Sequence, residues 1–114
     1  MKEVIVPFYK YLKDKYPVIK LYKELGINIT LDSPYTLLIR TGSFLEERNC
    51  LEVSIYNPVI LESYFTFDIN GDITEKNKHL KGKAHILFRR ELEKLKEHIK
   101  EFFTPNSIKF IRDI

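Results

Sequence analysis

From Ile27 onward the chain alternates apolar and polar residues with a period of two. The alternating segments are separated by turns too short to hold a crossover helix. Ile27, Ile29 and Leu31 alternate with Asn28, Thr30 and Asp32. Asp32-Ser33-Pro34 reads as a turn. Tyr35, Leu37 and Ile39 then alternate with Thr36, Leu38 and Arg40, and Leu38 points to cover on both faces. After a polar loop over 41–49, Leu51, Val53 and Ile55 alternate with Glu52, Ser54 and Tyr56 until Asn57-Pro58 breaks the strand. Leu61, Ser63, Phe65, Phe67 and Ile69 face one way, and Glu62, Tyr64, Thr66 and Asp68 the other. Strands joined so closely pair antiparallel, because a parallel pair needs a connection of a dozen residues or more.

Asn70-Gly71 is a hairpin signal. A two-residue turn would pair Phe67 with Thr74 and mix the faces. A three-residue loop, Ile69-Asn70-Gly71 with Gly71 left-handed, pairs Phe67 with Ile73 and keeps the apolar face intact, so the second register is expected.

Both flanks of the strand region read as helical. Over 7–25 the pattern gives a helix in two pieces. Phe8, Tyr11 and Leu12 form one apolar patch. Pro17 interrupts, since it has no backbone N–H to donate. Val18, Leu21, Tyr22 and Leu25 then recur at helical spacing, with Gly26 as a C-terminal cap. A longer helix is expected from about Lys83 to Phe103, with Ala84, Phe88, Leu92, Leu95, Ile99 and Phe102 on its apolar stripe. Glu91/Lys94, Glu93/Lys96 and Glu97/Lys100 are spaced to pair on its solvated side. Ser107 to Ile111 reads as a last strand. The expected fold is a single α+β domain over 1–114. It is a two-layer sandwich, a mainly antiparallel sheet of about five strands under an N-terminal helical pair and a long C-terminal helix.

At 114 residues the chain can bury a core without staples, and its one cysteine, Cys50, has no partner in the chain. Cys50 reads as a small residue at a strand start. No run approaches the roughly 18 apolar residues of a membrane span, and the opening apolar run is too short for a signal peptide. A cytoplasmic protein is expected, or a product inside the host cell if the source is viral. There is no Gln and there is one Met, while Lys and Glu are abundant, a bias that leans towards a thermophilic archaeon or one of its viruses.

The net charge of +3 conceals segregation: residues 1–25 carry +3, residues 26–75 carry −6 and residues 76–114 carry +6. Lys76, Lys78, Lys81, Lys83, Arg89 and Arg90 fall within 76–90 together with His79 and His85, and no acid lies among them. Part of this run sits at a helix N-terminus, where free N–H groups and the helix dipole favour an anion. Phosphate is the natural ligand and a phosphodiester backbone the natural polymer. The expected contacts are Lys78, Lys81, Lys83, His85, Arg89 and Arg90, with Lys10 and Lys13 extending the surface. The N-terminal segment interleaves Tyr and Lys, a combination that can stack on bases and neutralise phosphates. Tyr11 and Tyr22 fall on the apolar stripe, however, and are expected in the core.

No metal site, cofactor or catalytic set is expected. His79, His85 and His98 lack ligand spacing, and Asp68, Asn70 and Asp72 fit a hairpin better than a calcium loop. The expected function is therefore non-enzymatic binding of nucleic acid or another polyanion. One alternative is a homodimeric interaction or inhibitor module, using an open sheet face with Tyr56, Cys50, Tyr64 and Thr66. Another is a small metal-free nuclease using His85 with Lys81 or Lys83.

Overall fold

The alternation that begins at Ile27 builds one antiparallel sheet. The computed structural model describes residues 2–23, 26–31, 35–41, 50–56, 61–76 and 83–103, giving only the backbone course for Lys2, Leu61 and 83–88. The described strands are β1 (Ile19–Tyr22), β2 (Gly26–Thr30), β3 (Thr36–Thr41), β4 (Cys50–Tyr56), β5 (Leu61–Asp68) and β6 (Ile73–Glu75). They are hydrogen-bonded in chain order, each neighbouring pair antiparallel. A 3-10 turn, Lys2–Val4, leads into helix α1 (Ile5–Leu12), and helix α2 (Lys83–Phe102) follows the sheet. Pro7 lies within the first turn of α1, where a missing N–H breaks no intrahelical bond.

Ile27, Ile29, Leu37, Ile39, Leu51, Val53, Phe65 and Phe67 point to one face and are buried. Ile5, Phe8 and Leu12 of α1 and Leu92, Leu95, Ile99 and Phe102 of α2 join the same core, with Phe103 just beyond α2. Both helices thus cover one face, as expected of an α+β sandwich.

Three sequence expectations need correction. The second N-terminal helix is absent. Within its span Ile19–Tyr22 form β1, so the sheet has six strands among the described residues and the helical pair is one helix. Ile19 and Leu21 turn inward opposite Ile29 and Ile27, while Val18 and Tyr22 are exposed. The helical spacing of Val18, Leu21, Tyr22 and Leu25 was therefore not the buried pattern. Gly26 is not a cap but the first residue of β2, where an added Cβ would lie 3.0 Å from the Ile39 carbonyl oxygen. Lys23, the residue just after β1, has φ 49°.

The second correction is a bulge in β5. Val53 pairs with Phe65 but Ser54 pairs with Ser63, leaving Tyr64 as the extra residue. The bulge reverses the alternation, so Tyr64 enters the core rather than the opposite face. Its hydroxyl donates to Glu62 Oε2 at 3.2 Å. Burial, then the Glu62 charge, pushes the Tyr64 phenol up to about 12.

The third concerns the face away from the helices. Cys50, Ser54 and Thr66 are buried there, and only Tyr56 of the four residues named for a dimer surface is exposed. Glu52 is buried on this face too. It accepts hydrogen bonds from Ser54 Oγ at 3.0 Å and from Arg40, directly opposite on β3, at 3.2 Å through Nη2.

The Asn70-Gly71 hairpin takes the three-residue loop. Phe67 pairs with Ile73, and Gly71 has φ 80°. The Asp68 carboxylate accepts the N–H groups of Asn70 and Asp72 at 2.8 and 3.1 Å. It is thus engaged in its own turn, and no cluster of metal-ligating residues occurs among the described residues. The expected strand from Ser107 to Ile111 lies outside the described residues. No helix among them is long and apolar enough to cross a membrane.

Candidate anion-binding site

The residues expected to bind an anion come from two elements. Lys78 and Lys81 lie outside the described residues. Lys83 is the first residue of α2 and His85 the third, and the first turn contains no acid. The nuclease alternative rests on Lys81, Lys83 and His85, none of whose side chains is described. Arg89 and Arg90, two turns into α2, are exposed. Lys10, in the last turn of α1, and Lys13, just after it, are exposed as well.

Aromatic contacts fix how the two elements run. Phe8 packs on Phe102 at 5.1 Å between ring centroids, and Tyr11 on both Phe102 and His98 at 5.0 and 6.3 Å. Tyr16, beyond α1, packs on His98 at 5.9 Å and feels the charge of Glu91. Passing from Phe8 to Tyr16, the chain therefore moves along α2 from its C-terminal end towards its N-terminal half. The two are antiparallel neighbours in one layer. Lys10 and Lys13 thus share the helical layer with Arg89 and Arg90, and Lys13 lies towards their end of α2.

Farther along α2 Lys94 and Lys96 are engaged, whereas exposed Lys100 makes no ion pair with any described residue, Glu97 included. Lys94 pairs with Glu91 at 3.6 Å. Lys96 pairs with Glu93 at 3.3 Å and with Glu75 of β6. Glu75 and Glu93 together outweigh burial and raise the Lys96 ammonium above its usual range, although burial is the largest single influence and acts the other way. Lys15 sits 4.3 Å from the Tyr11 ring centroid. Lys10, Lys13, Arg89 and Arg90 make no ion pair with any described residue.

Sequence reasoning missed the buried group at the α1–α2 seam. His98 presents Nδ1 to the interior with no hydrogen-bond partner among the described residues, and the Tyr16 hydroxyl is also buried without one there. Burial first, then Lys15, holds the His98 imidazole below its usual range. Lys94 acts with them, and the carboxylates of Glu101 and Glu97 act against them. Burial pushes the Tyr16 phenol up, and it pushes Tyr11, which lies beside Glu101, up to about 12. Only the recurrence of His98 three residues after Leu95 and four before Phe102 could have signalled the position.

The consequence for stability has a definite sign. The folded chain takes up a proton at His98 less readily than the unfolded chain. Nothing is lost above the unfolded value of about 6.5, and stability falls as pH drops through that value towards the folded one. Denaturant midpoints measured from pH 7 to pH 5 should decline. His98→Gln should flatten the part of the decline near pH 6, and an unchanged profile in that variant would remove His98 as the cause.

Comparison with known protein families, with curated proteins and with solved structures finds no match to this chain.

Proposed function

We propose that this chain is a non-enzymatic binder of nucleic acid or a related phosphate-rich polyanion, and that the cationic end of its helical layer is the contact surface. The observation that carries this reading is the adjacent exposed pair Arg89 and Arg90 on α2. Lys94 and Lys96 are engaged with acids, whereas Arg89 and Arg90 are exposed with no ion pair among the described residues. They lie near a helix N-terminus whose first turn holds no acid, and Lys10 and Lys13 lie in the same layer. Unpaired cations and free helix N–H groups suit phosphate without reading sequence.

Fluorescence anisotropy with labelled single- and double-stranded DNA and RNA, titrated with salt, tests it. Binding should weaken steeply as salt rises, because each neutralised phosphate releases condensed counterions. Replacing Arg89 and Arg90 together by alanine should weaken binding to all sequences alike. It should lower the magnitude of the salt slope on duplex DNA by about 1.8, roughly 0.9 per lost phosphate contact. Replacing Lys81 and Lys83 should act in the same direction. Full affinity in both double variants would remove the site, and absence of binding at low salt would remove the function.

A further inference from the structure

The helix expected over 17–25 would have put Tyr22 in the core, and the strand turns it out. Tyr22 is 58% exposed, the most exposed large apolar side chain among the described residues. It lies on the face of β1 away from the helices, because Ile19 and Leu21 point inward. Lys20, two residues earlier on the same face, is exposed. Lys23 places its ammonium over the Tyr22 ring, 5.7 Å from the centroid, so a base that stacks on that face displaces the ammonium towards its own phosphate. The residue directly opposite Tyr22 is Gly26, which is buried and has no side chain to hold a ring away from the sheet. An aromatic ring beside a cross-strand glycine can lie down against the strand, leaving one π-face to solvent. On the far side β1 is the sheet edge among the described residues. Glu24 of the connecting turn lies outside the described residues.

We propose that Tyr22 is a stacking platform for a base of single-stranded nucleic acid, with Lys20 and Lys23 taking the phosphates on either side of that base. The ligand class rests on the polyanion reading above, but the surface does not, since it lies on the opposite side of the sheet from Arg89 and Arg90. Three features select the occupant. An exposed π-face accepts any base and gains most from one that is already unstacked. Flanking cations match the charge that accompanies each base along a strand. A duplex keeps its base faces covered and cannot use the ring. Val18, 46% exposed, lies beyond Lys20 in the same alternation.

The chain has no tryptophan, so Tyr22→Trp places a single indole reporter at the platform. Full-length protein carrying it is titrated with oligodeoxythymidylate and, separately, with long-chain inorganic polyphosphate, and binding is followed independently by anisotropy of the labelled ligand. Oligodeoxythymidylate should quench the indole and polyphosphate should not. Tyr22→Ala, an exposed truncation, should weaken oligodeoxythymidylate about tenfold and leave polyphosphate unchanged. Binding of oligodeoxythymidylate without quenching overturns the platform while the polyanion reading stands. Equal loss for both ligands in Tyr22→Ala does the same. Indole emission that changes with protein concentration alone would assign this edge to a second copy of the chain and overturn the proposal. Failure of both ligands to bind at low salt overturns the polyanion reading and the platform with it.

Discussion

Phe8→Ala should destabilise the chain by about 3–5 kcal/mol, the largest loss expected from any single truncation here. Phe8 is fully buried, and its ring centroid lies 5.1 Å from Phe102, 5.3 Å from Phe103, 5.9 Å from Phe67 and 6.2 Å from Tyr11. The contacts with Phe67 and Phe103 are edge-on, the arrangement that places the positive rim of one ring against the negative face of another. One side chain therefore joins α1, α2 and β5. The eight-residue α1 is too short to hold its shape without such packing. Truncation removes the transfer free energy of the ring and leaves a cavity whose walls belong to three different elements, which cannot all move in. Equilibrium denaturation followed by circular dichroism measures the loss. Phe8→Leu, which fills part of the space, should lose less than half as much, and Lys10→Ala on the exposed side of the same helix should change stability by under about 0.5 kcal/mol. A loss below about 1 kcal/mol in Phe8→Ala would mean that α1 does not dock on this core.

Why the chain revealed some elements and hid others is visible in the same region. The long alternations of β3, β4 and the Phe65–Phe67 part of β5 were legible because several consecutive residues vote for one period. The hairpin at Asn70-Gly71 was legible in its register, since only one of the two loops kept Phe67 and Ile73 on one face, and Gly71 supplied the left-handed conformation. The α2 stripe was legible for the same reason of length over Leu92, Leu95, Ile99 and Phe102, while the side chains of Ala84 and Phe88 lie outside the described residues.

β1 was not legible because it has four residues. Over so short a window, Val18, Leu21, Tyr22 and Leu25 satisfy a helical period while Ile19 and Leu21 satisfy a strand period. Pairing with β2 decides between them, and that pairing is tertiary. The β-branched pair Val18-Ile19 directly after Pro17 was the available local hint. The bulge at Tyr64 was hidden more deeply: one inserted residue shifts the register of everything before it in β5, so that Ser63 pairs with Ser54 while Phe65 and Phe67 keep their expected face.

The site divides along the same line. Charge segregation pointed to Arg89, Arg90, Lys10 and Lys13, because counting charges requires no register. Tyr22 was noticed in the Tyr–Lys interleaving and then assigned to the core, a direct consequence of reading β1 as helix. The Arg40–Glu52 pair could not be found, because its two members come from different strands. Nothing local in Arg40 or Glu52, twelve residues apart, says that they face each other.

That pair leads to the second large effect. Glu52 is 6% exposed, and its Oε1 accepts from Arg40 Nη2 at 3.2 Å, from Arg40 Nε at 3.4 Å and from Ser54 Oγ at 3.0 Å. Its direct neighbour on the other side is Thr66, also buried. The Arg40 side chain, by contrast, is 37% exposed. The two partners are therefore unequal. Arg40→Ala leaves a carboxylate held in the sheet interior with one hydroxyl donor, and breaking a buried pair in this way costs about 3–5 kcal/mol. The opening left by the arginine admits some water, so a loss of about 3 kcal/mol is expected. Glu52→Gln removes the charge but keeps an oxygen for Ser54, and the half-exposed Arg40 can turn to solvent. Its cost should be about 1 kcal/mol. In the Arg40→Ala background the same Glu52→Gln change should be stabilising, because it removes the charge that has lost its partner. A double-mutant cycle at neutral pH, read from denaturant midpoints, measures all three terms. If Arg40→Ala costs no more than Glu52→Gln, or if Glu52→Gln fails to restore stability in its background, then Glu52 is solvated and this face of the sheet is open. In that case Cys50 and Thr66 would be accessible too, and the homodimer alternative would regain a surface.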